Sequence, residues 1–384
     1  MIYLDNSATT QPYKEVAEAY MKVATSYFGN PSSLHSLGMK AENLLIEARN
    51  RIADLLEVEA QEIIFTSGGT EGNSLAIKGT AYARGSHGRH LITSQVEHPS
   101  VLESFRQLER EGFEVTYLPV TEEGRVDPDD VSRALRPDTI LVSLIHVNNE
   151  VGTIQPVEEI GKRLAGYPKV YYHVDYVQGI TKVPLNVKAS NVDLCTCSAH
   201  KFHGMKGTGF LYVRKGLQLT PLFQGGQQEG QIRAGTENVA GVVAMAKALR
   251  MSVEQQEQKL AKLVRQSGQL RAALHEIEGV YVNSPENGSA APHIINFSVP
   301  GIKPEVLVQS LSAKEIYVST KSACSSKLTA PSQILTAMGF GEERASAGIR
   351  LSLSFETTDA EIAQVKKELQ AVIPELLEVV KREV

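Results

Sequence analysis

The sequence predicts an α/β protein: a large domain with a mostly parallel seven-stranded sheet between helices, and a smaller α+β domain beside it. Three observations carry that expectation. Over the first two thirds of the 384-residue chain, short apolar runs alternate with helix-period segments, the pattern of strands joined by crossover helices. Residues with useful chemistry cluster just after those runs, where open α/β sheets collect ligands. Beyond about residue 238 the texture changes to a long polar–apolar helical stretch, followed by a second cluster of short strands.

Each element has a local reason. The segment 40–56 places Leu44, Ala48, Ile52 and Leu55 at helical spacing, which argues an amphipathic helix. The run 62–66 is rich in β-branched and aromatic residues and stops at a glycine-rich turn, so it is read as a strand. A helix at 73–83 opens from that turn. Apolar runs at 90–94, 115–118, 139–146, 170–174, 192–197 and 209–213 supply the other six strands, bounded by polar or glycine-containing segments. The stretch 239–277 is expected to hold more than one helix. After it come strands at 293–299, 316–320 and 349–355, and helices at 304–312, 331–338 and 359–382. The large domain is assigned to 13–257, and the small one to 1–12 with 258–384, carrying a loop at about 319–330.

Bulk properties exclude several classes. Hydrophobic residues make up 42% and charged residues 22%, with a formal net charge of −5, as in ordinary globular proteins. Mixed charge along the chain gives no basic patch for stable nucleic-acid binding. No apolar run approaches the roughly 20 residues of a membrane span, and the N-terminus lacks a signal-like pattern, so a cytoplasmic protein is expected. Three cysteines are too sparse for a disulfide framework. Cys195 and Cys197 share one face of a strand and are read as core residues, with no metal site expected.

The tetrapeptide Ser198-Ala199-His200-Lys201 closes the run 192–197, and Asp175-Tyr176-Val177-Gln178 closes the run 170–174. A lysine at the end of a buried strand is costly to desolvate, so it lies at a rim or is chemically employed. Lys201 is read as a Schiff-base lysine, and the cofactor as pyridoxal 5'-phosphate. Its phosphate needs backbone N–H groups and hydroxyls at a helix N-terminus. The turn Thr66-Ser67-Gly68-Gly69-Thr70-Glu71-Gly72 offers these, although a plain capped strand-to-helix turn has the same look. The pyridinium nitrogen needs an anion to keep its proton. Asp175 is the candidate, with helix capping as its alternative role. Gln178 and Asn149 can reach the ring oxygen, His98 can stack on the ring, and Ser198 and His200 add phosphate donors.

The chain resembles the cysteine desulfurases, fold-type-I pyridoxal-phosphate enzymes of the class-V aminotransferase group. The resemblance rests on the stretches Tyr3 through Thr10, Phe28-Gly29-Asn30-Pro31-Ser32-Ser33, Thr66 through Glu71, Val96-Glu97-His98, His146-Val147-Asn148-Asn149-Glu150, His173-Val174-Asp175 and Ser198-Ala199-His200-Lys201. It implies that Lys201 holds the cofactor, His98 stacks on its ring, Asp175 pairs with its nitrogen, and Gln178 and Asn149 address its oxygen. Phosphate contacts are implied from Thr70, Ser198 and His200, with backbone help from Gly69. In the family a threonine of the second subunit completes that site. The matching motif here, Arg233-Ala234-Gly235-Thr236-Glu237-Asn238, points to Thr236 and to a homodimer.

Cys324 lies in Ser319-Thr320-Lys321-Ser322-Ala323-Cys324-Ser325-Ser326-Lys327, where nearby lysines favour thiolate. The segment resembles the long catalytic loop of one desulfurase subgroup. The implied reaction takes sulfur from L-cysteine, leaving L-alanine and a persulfide on Cys324, for passage to an acceptor protein in iron–sulfur, transfer-RNA or cofactor thiolation chemistry. Arg350 is expected to clamp the substrate carboxylate with Asn30 as helper, Lys201 to move the Cα proton, and His98 to assist at the thiol. A selenocysteine lyase or another class-V enzyme is the alternative activity, and an idle scaffold the alternative class. Members that feed the iron–sulfur scaffold carry a longer C-terminal tail than a chain ending at Val384, which counts against that partner. Asn6 and Ser7 depart from the family's usual pair after Asp5, with no catalytic consequence expected.

Overall fold

The structure, a computed structural model, describes residues 1–320 and 330–383. An opening strand β1 (Ile2–Tyr3) precedes helices α1 (Lys14–Ser26) and α2 (Ser36–Leu56). The large sheet is built from β2 (Ile63–Thr66), β3 (His90–Ser94), β4 (Glu114–Leu118), β5 (Thr139–Ile145), β6 (Tyr171–Asp175), β7 (Leu194–Ser198) and β8 (Gly209–Val213). Helices α3 (Gly69–Arg84), α4 (Pro99–Arg110), α5 (Pro128–Ala134) and α6 (Val157–Leu164) fill the first four crossovers. The order across the sheet is β2-β8-β7-β6-β5-β3-β4. Only β8 runs against its neighbours, and the other pairings are parallel. The expected mostly parallel seven-stranded sheet is present.

Strand periodicity divides the apolar side chains between two faces. Val142 and Leu144 of β5 join a core with Val174, Cys195 and Cys197, closed by Met245 and Leu249. Leu141 of the same strand faces the other way, toward Leu75 and Ile77 of α3 and Phe105 of α4. Cys195 and Cys197 are buried free thiols, as expected of core residues.

The second part of the chain begins with α7 (Val239–His275), followed by β9 (Tyr281–Val282), β10 (Ile294–Ser298), α8 (Pro304–Ser312) and β11 (Ile316–Tyr317). Then come α9 (Gln333–Ala337), α10 (Glu342–Ser346), β12 (Gly348–Ser352) and α11 (Asp359–Glu383). Strands β12-β10-β9 form an antiparallel sheet, and β1 pairs in parallel with β11. Where several helices were expected, α7 is one helix of 37 residues. Its first half packs into the core of the large sheet, and its second half, from Leu263 to Leu274, into a core with Phe297, Leu351 and Val365. Burial along both halves outweighs the propensity cost of Gly268, which is exposed. Among the described residues no helix is long and apolar enough to cross a membrane.

Candidate active site

The carboxyl ends of β5, β6 and β7 converge on a cavity of about 180 Å³, the expected ligand position of such a sheet. Helix α3 begins at its rim. Gly68 precedes it at φ 150°, a conformation that favours glycine. A Cβ on Gly72 would lie 2.6 Å from Thr196 Cγ2, so this glycine lets the first turn of α3 seat against β7. The helix N-terminus therefore brings Gly69 and Thr70 to the cavity, opposite Ser198 and His200.

Asp175 ends β6 and is 3% exposed. Its Oδ2 accepts from Asn73 Nδ2 at 2.8 Å and its Oδ1 from the Val177 N–H at 3.1 Å. The same Asn73 amide donates to Ser100 Oγ at 2.9 Å, and that hydroxyl stands 2.8 Å from His98 Nδ1. His98 caps α4, its Nδ1 accepting the Ser100 N–H at 3.1 Å. The neutral ring therefore carries its proton on Nε2. Burial holds its pKa below the ordinary value; Asp175 opposes that shift and Lys201 adds to it. Asn73 and Ser100 escaped the sequence reading because neither has catalytic chemistry of its own. Their signal was spacing: Ser100 lies two residues after the cap His98, and Asn73 one turn into α3.

Lys201 sits beyond the strand end, on a single 3-10 turn, Ala199–Lys201, after β7. Its Nζ donates to the carbonyls of Ser7 at 2.5 Å and Ala8 at 2.9 Å. Gln178 Nε2 donates to the same Ser7 carbonyl at 2.9 Å, and Ser7 Oγ to the Asn149 carbonyl at 3.0 Å. The segment after Asp5 thus holds the amine through the carbonyls of Ser7 and Ala8, backbone atoms that any residue supplies, so these contacts do not depend on the departure at Asn6 and Ser7. His200 Nδ1 lies 3.1 Å from Thr9 Oγ1. Burial first, then Lys201 and Lys206, lowers its pKa to about 3, leaving a neutral ring at ordinary pH.

Arg350, from β12, is 1% exposed and also lines the cavity. Its Nη2 pairs with Asp5 Oδ1 at 2.9 Å, its Nη1 donates to the Asn149 carbonyl at 2.8 Å, and its buried Nε has no partner. The guanidinium expected to clamp the substrate carboxylate is thus already shared with a resident one. Two expected residues are not brought to this cavity within one chain. Asn30 is exposed, its Oδ1 accepting the Ser32 N–H at 2.9 Å, and Thr236 is exposed, three residues after Arg233, which pairs with Glu71. Cys324 lies outside the described residues. Ser319, five residues before it, pairs with Arg350 through backbone bonds in both directions.

The donor set suits pyridoxal phosphate. An amine, a buried carboxylate held by two N–H donors, and a helix N-terminus with hydroxyls around it are the groups its aldehyde, ring nitrogen and phosphate require. Among the described residues no cluster of metal-ligating side chains occurs.

Comparison with known proteins agrees with this geometry. The sequence profile described as aminotransferase class-V matches residues 2–365. A "NifS/IcsS protein homolog" of Lactobacillus delbrueckii subsp. bulgaricus is 47% identical over 359 residues, covering 93% of each chain. A "Cysteine desulfurase IscS" of Dictyoglomus turgidum is 44% identical, covering 98% of this chain and 95% of its own. A solved "NIFS-LIKE PROTEIN" superposes with a TM-score of 0.92 at 35% identity, covering 98% of this chain and 100% of that one. A structure of "SspA in complex with cysteine" matches with a TM-score of 0.79 at 33% identity, covering 92% of this chain and 99% of that one.

Proposed function

The chain belongs to the aminotransferase class-V family and is a cysteine desulfurase, and from that premise we propose how its own residues carry the reaction on L-cysteine with pyridoxal 5'-phosphate. The observation that carries the reading is the convergence of Lys201, Asp175 and Arg350 on one cavity. Lys201 would hold the cofactor, Asp175 its ring nitrogen, Gln178 and Asn149 its ring oxygen, and Gly69, Thr70, Ser198 and His200 its phosphate. When bound, the cofactor supplies an aldehyde that captures the substrate amine and a ring that accepts electrons from Cα.

Arg350 orients the substrate through its carboxylate, which places Cα near the Lys201 amine. That amine takes and returns the Cα proton. His98 donates its Nε2–H at the substrate sulfur. Cys324, as thiolate, then forms an S–S bond to the substrate sulfur while the Cβ–S bond breaks. The bonding pair stays on the carbon skeleton and is protonated to give L-alanine, leaving a persulfide on Cys324. The persulfide passes to an acceptor protein not identified by any residue described.

The reading includes a homodimer in which Thr236 serves the partner subunit's cavity, which its exposure in one chain supports, and it keeps Asn30 as a helper at the substrate carboxylate. It also keeps the division into 13–257 and 1–12 with 258–384, and a cytoplasmic location. Purified protein is expected to be yellow, and Lys201→Ala to lose the visible band. Cys324→Ser is expected to stay yellow but to release no sulfide or alanine from L-cysteine. Normal turnover by that variant would remove Cys324 from the mechanism and favour a lyase.

A further inference from the structure

We propose that Asp5 is a resident counter-ion of the substrate-carboxylate site, sharing Arg350 with the incoming amino acid and setting how tightly it is taken. The proposal rests on Arg350 as the carboxylate anchor. Arg350 is 1% exposed, and a guanidinium this deep is costly without an opposite charge. Among the described residues Asp5 is the one carboxylate paired with it, at 2.9 Å. The register of the fold enforces the pairing: Asp5 bridges in parallel to Ser352, two residues along β12 from the arginine. Only part of the guanidinium is used among the described residues, where Nε is buried without a partner. Asp5 itself keeps 22% side-chain exposure, so its charge has access to water where that of Arg350 does not.

A substrate carboxylate thus enters a site that already holds one. Asp5 already neutralises part of the Arg350 charge, which weakens its capture of every carboxylate ligand. A ligand with an amine and no carboxylate meets no such competition. Asp5 is therefore a specificity-determining residue for charge at that end of the substrate.

The test uses holoenzyme, with L-alanine as carboxylate probe and ethylamine as the same amine without it, both followed by perturbation of the visible band. In D5N the Kd for L-alanine is expected to fall at least about fivefold, the equivalent of ~1 kcal/mol. KM for L-cysteine should fall with it while kcat does not rise, and ethylamine binding should be unchanged. D5E, which keeps the charge, should stay within about twofold of wild type. In an R350Q background D5N should have no effect, because the two act through one contact. If D5N binds L-alanine no tighter, or more weakly, Asp5 merely orients the arginine and the proposal fails. If R350Q binds L-alanine as wild type does, the parent assignment of Arg350 fails instead. Should D5N be recovered only as aggregate, folding with acetate or L-alanine should restore it by replacing the missing carboxylate. Failure of both to do so overturns the proposal.

Discussion

Asn73→Ala tests whether the buried amide, absent from any chemical step, prepares Asp175 for the cofactor. Asn73 is 1% exposed and spends its Nδ2 on Asp175 at 2.8 Å and on Ser100 at 2.9 Å. The bond to the carboxylate is worth about 1.5–3 kcal/mol and the neutral one about 0.5–1.5 kcal/mol. Water from the adjoining cavity can replace part of both, so a stability loss of about 1.5–2 kcal/mol is expected, below the sum. A carboxylate free to turn holds the ring nitrogen less well, and the Kd for pyridoxal phosphate should rise about tenfold, equivalent to ~1.4 kcal/mol. The assay is titration of apoprotein with pyridoxal phosphate at the visible band, alongside urea unfolding. Ser100→Ala removes the other end of the bridge and should cost about threefold. The double variant should fall short of the product, because the Asn73–Ser100 bond is lost in both. A Kd within twofold of wild type for Asn73→Ala, with unchanged turnover, would refute the reasoning.

Gly72→Ala should lower stability by about 1–3 kcal/mol through overpacking against Thr196, and Thr196→Ser in the same chain should recover part of it; melting temperature reads both. Glu97 is pushed up to about 8 chiefly by burial, with Asp175 adding to the shift. The native state then holds a proton that the unfolded chain has released, so stability falls as pH rises from about 4.5 to 8. Glu97→Gln should flatten that slope in urea midpoints between about pH 5 and 8, and an unaltered slope counts against it. His146 and His173 are lowered to about 3 by burial, so the unfolded chain binds more protons below about 6.5. Stability from these neutral rings is present above that pH and is lost as pH falls toward 3. His173→Gln should reduce the loss measured by circular dichroism.

The large sheet was legible because its inner strands are buried on both faces and read as largely apolar runs, as at 140–145, where Ser143 is the one polar residue. The pairs β1 and β9 were not, being two residues each, too short for any period to show. Lys201, Asp175 and His98, which line one cavity, were legible because their chemistry is expensive to bury and they follow strands, whereas Arg350 was reached through the resemblance. Asn73 and Ser100 were not, because an amide and a hydroxyl look the same whether they face solvent or a buried carboxylate. Asp5 belonged to a motif, yet its pairing with Arg350 joins positions 345 residues apart, which no local pattern reports.

The stretch from Asp5 to Ala8 explains why amine and guanidinium can act on one small molecule. Asp5 pairs with Arg350, and the Ser7 and Ala8 carbonyls accept from Lys201. Ser352 Oγ accepts the Ser7 N–H at 2.8 Å, and Ser7 Oγ reaches the Asn149 carbonyl that also accepts from Arg350. The two functional side chains come from different sheets, yet each is referenced to the same four backbone residues. Their separation is then fixed by short contacts to one stretch, through the Asp5 carboxylate for Arg350 and through main-chain carbonyls for Lys201, rather than by two independent long rotamers. The carboxylate and Cα of an amino acid are bonded neighbours, so a misplacement of about 1 Å at either end would cost on the order of 10²-fold in rate. A segment that contributes little chemistry of its own thereby governs the geometry on which the chemistry depends.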